Sequence, residues 1–270
     1  MATIEKQTGR TIFGDDPEQY AEARPEYPAR VYEILRTTCQ AGPSTRTFEI
    51  GAGTGQATIP LLRLGCHVAA IEPDPRLASV LSRSVSRSDA ARLSVLSVPF
   101  ETAELAEGAF DLGIAATSFH WLDQKEALRK VGRFLRPGGW WAMWWTVFGD
   151  PEQEDEFQRL THSLFEELDR SPSHGDRANV PFALDAEKRT DELREVGFES
   201  ISSEVIRWTV NRTTKQELAL TATYSPVARL PDTERKQFLE KIRRVVDDDF
   251  CGSVSRNFVT AIYTAARAPL

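Results

Sequence analysis

Residues 49–55 read Glu-Ile-Gly-Ala-Gly-Thr-Gly, so an acid stands two positions before three alternating glycines. Gly51, Gly53 and Gly55 carry no Cβ, which lets a turn tighten and a ligand lie against the backbone. A helix beginning just after them would add free N–H groups. Glu49 sets the sign of that ligand: a carboxylate repels a pyrophosphate and attracts an ammonium group. Dinucleotide-binding dehydrogenases use G-x-G-x-x-G over a pyrophosphate; the spacing here is G-x-G-x-G, and the acid argues against that use. Glu72, at the end of the next apolar run, can accept hydrogen bonds from both ribose hydroxyls of an adenosine. By itself it does not separate a nicotinamide cofactor from other adenosine ligands. His120 offers near-neutral proton chemistry and could act as a base toward a hydroxyl or amine. The other reading is that His120 and Trp121 only shape a pocket.

These groups need elements to hold them. "RTFEI" (46–50), "HVAAIE" (67–72), "RLSVLSV" (92–98), "FDLGIAATS" (110–118) and "WWAMWWTVF" (140–148) read as five strands. They are continuous apolar runs, the pattern of strands buried on both faces of a parallel sheet. Helical stretches lie between them: 56–65, 75–87 and 124–136, the last with Ala127, Leu128, Val131, Phe134 and Leu135 at helical spacing. Another helix is expected over 28–40. Pro60 is tolerated early in its helix, where a missing N–H costs least. "PGG" at 137–139 should end the helix before it. The tryptophans at 140, 141, 144 and 145 read as core residues of a strand covered on both faces. Residues 150–198 turn polar and helix-prone, with a turn-rich break at "SPSHGDRANVP". Strand-like 200–210, a helical 214–248 and strand-like 257–266 follow.

The expected fold is α/β: a doubly wound, mostly parallel, seven-stranded Rossmann-like sheet with helices on both faces and a helical cap insertion. One domain covers 1–270. It divides into a helical lid (1–45), a ligand-binding βα core (46–148), a cap (149–199) and a C-terminal strand pair with inserted helices (200–270).

The chain has 270 residues, 27% of them charged, and a net charge of −7. Its basic residues form no stripe, which argues against nucleic-acid binding, where phosphate charge must be offset by a concentrated positive surface. Cys39, Cys66 and Cys251 are odd in number and far apart, so no disulfide framework or zinc site is expected. "MATIEKQTGRTIFGDD" has no apolar core, and no stretch approaches membrane-span length. A cytoplasmic setting without a membrane partner is expected, as a monomer or homodimer. His162 and His174 are assigned no role.

The ordered set "FEIGAGTGQAT", "AIEPDPRL", "VPFETAEL", "FDLGIAATSFHWLD" and "ALRKVGRFLRPGGWWAMWW" resembles the class I S-adenosylmethionine-dependent methyltransferases. It is similar to their small-molecule (type 11/12-like) branch, with Y-x-x-x-R-P-x-Y-P at Tyr20, Arg24, Pro25, Tyr27 and Pro28, and F-H-W-L at 119–122. The match runs from about residue 13 to 148; beyond it only the general layout agrees. The resemblance implies S-adenosylmethionine as cofactor, S-adenosylhomocysteine as product, and a small-molecule substrate methylated on O, N or C. It implies that Gly51, Gly53 and Gly55 line the methionine part, with Glu49 near the amino group and Thr117 beneath. Glu72 would hold the ribose. Pro73, Phe100 and Glu101 would lie by the adenine. Tyr20 and Arg24 would close over the cofactor, Arg24 pairing with its carboxylate. Tyr27, His120 and Trp121 would border the substrate. Two alternatives stay open: a nicotinamide-dependent oxidoreductase, and a cofactor-binding module without turnover, since binding and catalysis are separable.

Overall fold

Seven strands, β1 (Arg46–Ile50), β2 (His67–Ile71), β3 (Leu93–Leu96), β4 (Phe110–Ala116), β5 (Leu135–Val147), β6 (Phe198–Thr213) and β7 (Ser253–Arg267), form one sheet. Its order is β3-β2-β1-β4-β5-β7-β6. The computed structural model describes residues 3–5, 12–175 and 180–269 of the chain. The first five strands pair in parallel, and β7 runs antiparallel to both β5 and β6. This is the mostly parallel seven-stranded α/β sheet expected, closed by one antiparallel hairpin. Strand order reverses between β1 and β4, so a crevice opens beyond their carboxyl ends.

The helices are α1 (Pro17–Ala23), α2 (Ala29–Thr37), α3 (Thr58–Arg63), α4 (Pro75–Ser84), α5 (Arg87–Ala90), α6 (Gln124–Phe134), α7 (Glu156–Glu166), α8 (Ala186–Glu195), α9 (Thr214–Ala222), α10 (Ser225–Ala228) and α11 (Asp232–Arg244). Both faces of the sheet are covered, for a simple reason: side chains alternate along each strand. Val31, Leu35, Leu61 and Leu81 from α2, α3 and α4 pack on Val68, Ala70, Leu112 and Ile114. Leu128, Val131 and Phe134 from α6 pack on Phe48, Ile71 and Trp141 across the sheet. Aspartates start the helices: Asp74, Asp123 and Asp155 accept from the N–H of Arg76, Glu126 and Gln158 at 2.7–3.0 Å.

Three expectations are corrected. The helix over 124–136 ends at Phe134, and "PGG" lies inside β5. Phe110 pairs with Leu135 and Leu112 with Trp140, so residues 136–139 bulge outward. Pro137 has no N–H to give the ladder, which is why the break takes this form. Second, the strand pair is longer than its apolar stretches, at 198–213 and 253–267. Edge strand β6 alternates in burial, and its polar half hid its length.

Third, 149–199 is not one cap. Phe157 of α7 joins Val227, Phe238, Ile242 and Val246, so α7 shares a layer with helices inserted between β6 and β7. Helix α8 lies instead on the sheet flank, with Leu193 beside Phe134, Trp141 and Phe198. "AEKRTDELRE" buries only Arg189 and Leu193, too thin a stripe to reveal its seat. Of the predicted turn-rich break, 176–179 lie outside the described residues. Among the described residues no helix is long and apolar enough to cross a membrane.

Candidate functional site

The crevice at the carboxyl ends of β1 and β4 holds a cleft in two joined halves. The first, about 470 Å³ of space partly open to solvent, is lined by Tyr20, Arg24, Tyr27, Glu49, Thr146 and Phe148, among others. The second, about 650 Å³ on the same measure, is lined by Phe13, Glu72, Pro73, Phe100 and Trp121, among others. Tyr20, Gly51, Gly53, Ala116 and Thr117 border both halves. The joint therefore lies on the glycine loop.

The glycines do different jobs. A Cβ on Gly51 would meet Ser118 Cβ at 2.5 Å, where the Ser118 hydroxyl donates to the Ile50 carbonyl. Gly55 (φ +104°) faces Leu81 Cδ1 at 2.7 Å and Ile59, so it serves the packing of α3 on α4. It does not line either half, which corrects the expectation for that residue. Gly53 (φ +56°) faces no atom nearer than Gln56 at 3.7 Å and borders both halves. This is the cradle that a side chain would fill.

Glu72 ties the loop down. Its Oε2 accepts from Gly53 N–H at 2.7 Å and its Oε1 from Asp74 N–H at 2.9 Å. Each oxygen keeps a second lone pair for a ligand hydroxyl. Burial pushes its carboxyl up to about 7, against the two N–H bonds that favour the charge. Glu49 is also buried and, among the described residues, accepts only from the Thr58 hydroxyl, at 2.5 Å. Burial pushes it up to about 8, with the Glu72 carboxylate adding a smaller push.

Across the first half stands Arg24. Its Nη2 donates to the Thr223 carbonyl at 2.9 Å, and its guanidinium lies 5.1 Å from the Tyr20 ring and 5.0 Å from the Phe148 ring. Its buried Nε has no hydrogen-bond partner. No carboxylate of the described residues pairs with it. The first half thus sets a buried carboxyl and a guanidinium on the same space, partners for a zwitterion whose ammonium would favour the ionised carboxyl.

Thr117 sits between the halves at φ +55°, a strained conformation for a β-branched residue. It is held there by its N–H to the Trp144 carbonyl at 2.7 Å and by the Tyr27 hydroxyl at 3.0 Å from its Oγ1. Burial pushes the Tyr27 phenol well above its ordinary value. Phe13 packs on Tyr20 (5.4 Å) and Trp121 (6.2 Å), closing the second half from the N-terminal segment.

Besides Gly55, two expected residues are not in the cleft. His120 is buried behind it, with Nδ1 accepting from the Trp145 indole at 3.0 Å. An indole can only donate, so the ring nitrogen facing it carries the lone pair and the other carries the proton. His120 is therefore part of the wall behind Trp121, whose ring lies 4.9 Å away. Glu101 is exposed; its carbonyl, with that of Phe100, accepts from Lys130 Nζ at 2.8 Å. The structure adds Phe13, Thr146, Phe148 and Lys130. Only the strand-end position of Thr146 and Phe148 was a visible signal.

Residues 48–143 match the family described as "methyltransferase domain". An uncharacterized methyltransferase of Mycobacterium tuberculosis is 25% identical over 235 residues, 87% of this chain and 85% of that protein. The fold is shared with a candidate type II methyltransferase from Anaeromyxobacter dehalogenans (TM-score 0.64, 19% identity, covering 92% of this chain and 99% of that one). It is shared as well with the cyclase SpnF (TM-score 0.62, 15% identity, 100% and 99%).

Proposed function

We propose that this chain, whose residues 48–143 match the methyltransferase domain family, is a class I methyltransferase of the type 11 kind that binds S-adenosylmethionine in this cleft and methylates a small molecule. The observation that carries the reading is that Glu49 and Arg24, not paired with each other, line the same half of the cleft beside the glycine loop. An amino acid end brings an ammonium and a carboxylate, and these two side chains are what such an end needs. Glu72 would take the ribose hydroxyls, and Pro73, Phe100 and Phe13 would flank the base. Bound there, the cofactor would supply an electrophilic methyl group on a sulfonium.

The chain's own part is positioning. Neither half is lined by histidine, lysine or aspartate among the described residues. The acceptor is then one whose lone pair is already available, and orientation does the work. Tyr27 and Thr117 would fix the floor on which it rests. The net charge of −7 supports a small acceptor over a nucleic acid. A nicotinamide dinucleotide fits poorly, since its pyrophosphate would face Glu49.

Calorimetric titration with S-adenosylmethionine, S-adenosylhomocysteine and NADH tests this. Binding of the first two at micromolar strength and not of NADH is expected. Absence of binding by a folded chain would remove the reading. Turnover in an acceptor screen then separates an enzyme from a binding module.

A further inference from the structure

Behind Arg24 lies a buried ionic cluster that does not line the cleft. Glu217 on α9 is fully buried. Its Oε1 accepts from Arg256 Nη1 on β7, and its Oε2 lies 3.0 Å from Arg212 Nε on β6, an ion pair at poor hydrogen-bond angle. Arg256 Nε reaches Asp155 at 3.2 Å, at the start of α7. Two cations meet two anions, so the cluster is neutral. A buried ion cluster of this kind is weak evidence for stability, because apolar residues of similar volume often serve as well. What distinguishes it is the set of directions it fixes.

Three of those directions end at Arg24. Helix α9, anchored by Glu217, is followed by Thr223, whose carbonyl accepts from Arg24 Nη2 at 2.9 Å. Arg256 Nη2 donates to the Phe148 carbonyl at 2.9 Å, and the Phe148 ring is one of the two aromatic faces against the Arg24 guanidinium. Arg212 Nη2 reaches the carbonyl of Ala23, the residue before Arg24, at 3.4 Å. Tyr224 stacks on Phe148 with ring centroids 5.5 Å apart and an interplanar angle of 12°, a further contact that holds the ring. The side chain that faces the cleft is thus aimed by a carboxylate that never touches it.

We infer that Glu217 is a positioning residue that holds the Arg24 guanidinium in place for the carboxylate of the bound amino acid end. The inference rests on the cofactor reading above. Its consequence is selective. A ligand with the carboxylate should feel Glu217; one with the adenosine and sulfur alone should not.

The experiment is calorimetric titration of the wild-type chain and Glu217→Gln with S-adenosylhomocysteine and with 5′-methylthioadenosine, which lacks the amino acid end. Glu217→Gln is expected to weaken S-adenosylhomocysteine about tenfold and to leave methylthioadenosine within about twofold. In an Arg24→Gln background the same change should add less than about twofold, since coupled residues are not additive. Equal losses on both ligands, or none on S-adenosylhomocysteine, would overturn the inference. Should Glu217→Gln not fold, Glu217→Asp keeps the charge, withdraws it by one methylene and must show the same split between ligands. A wild-type chain that binds neither ligand would sink the cofactor reading itself, and is read separately from the variant.

Discussion

The two halves of the cleft each present a buried acid to the same glycine loop, and they use it differently. Glu72 is already engaged by two backbone N–H groups, of Gly53 and Asp74. Among the described residues Glu49 has a single hydroxyl partner, and no carboxylate pairs with Arg24 across from it. In the half that Glu72 borders, the proposed adenosine side, the acid is already part of the fold. In the half that Glu49 and Arg24 border, the proposed methionine side, neither group is spent on the other. Burial raises both carboxyls, but only Glu49 lacks N–H donors to oppose it.

Replacing Glu72 should therefore do the most damage. Glu72→Ala removes the proposed acceptor for two ribose hydroxyls and leaves the N–H groups of Gly53 and Asp74 without this partner. Hydrogen bonds to a charged group contribute about 1.5–3 kcal/mol each, so a loss of about a hundredfold in S-adenosylhomocysteine affinity is expected. The melting temperature should fall by several degrees as well, about 4 °C or less per kcal/mol for a chain of this size. Calorimetry and thermal melts on one preparation check both. A variant that loses affinity with an unchanged melt would show that Glu72 does not hold the loop.

Glu49→Gln should split the same two readouts the other way. Affinity for the ammonium-bearing ligand should drop about tenfold. Stability without ligand should hold near neutral pH, where Glu49 is largely protonated, and rise above about pH 8, where a buried charge is removed. The pH dependence has a definite sign. Both carboxyls titrate above their ordinary 4.5, near 8 for Glu49 and near 7 for Glu72. The folded chain then binds more protons than the unfolded one, so this contribution to stability is full below 4.5 and is lost as pH rises through about 7 to 8. Melting temperatures of the wild type should decline across that window, and Glu49→Gln should flatten the upper part. Ligand affinity should run opposite, rising toward pH 8, with proton release visible in buffers of different ionisation heat. An affinity independent of pH between about 6 and 8 would show that Glu49 does not meet the ammonium.

Within the loop, Gly53→Ala and Gly55→Ala sharpen the contrast at smaller scale. Gly55→Ala pushes a Cβ to 2.7 Å from Leu81, so it should cost stability in chemical denaturation, about 1–3 kcal/mol. Gly53→Ala has room around its Cβ and should lose about 1 kcal/mol for its positive φ, while blocking the ligand. Equal ligand affinity for the two variants would erase the distinction.

Legibility in the sequence follows the same divide. The parallel strands were readable because they are continuous apolar runs broken by glycines, and Glu49 and Glu72 because they end two of them. Partnerships across the chain were not. Glu72 binding the loop N–H groups, Trp145 capturing His120, and Arg24 meeting Thr223 across 199 positions depend on the fold, which no local period announces. Phe13 lies outside any apolar pattern, and α8 buries too little to declare its face. The three glycines looked alike in sequence and separated only when their neighbours were known.

The smallest expected effect tests the rim of the half bordered by Glu72 and Phe100. Sequence reasoning pointed to Glu101, yet the contact there is made by main chain: Lys130 Nζ donates to the carbonyls of Phe100 and Glu101 and lies 5.2 Å from the Phe100 ring. The Phe100 ring is thus held from behind by a lysine on α6, while the Glu101 residue is exposed. Glu101→Ala keeps both carbonyls and should leave S-adenosylhomocysteine affinity within about twofold. Lys130→Met keeps the apolar stem, removes both N–H bonds and should weaken the ligand about threefold to fivefold through a looser Phe100. The reverse order, Glu101→Ala the more damaging, would return the acid to the site and make the half bordered by Glu72, like the half bordered by Glu49, one that reserves a side-chain carboxyl for its ligand.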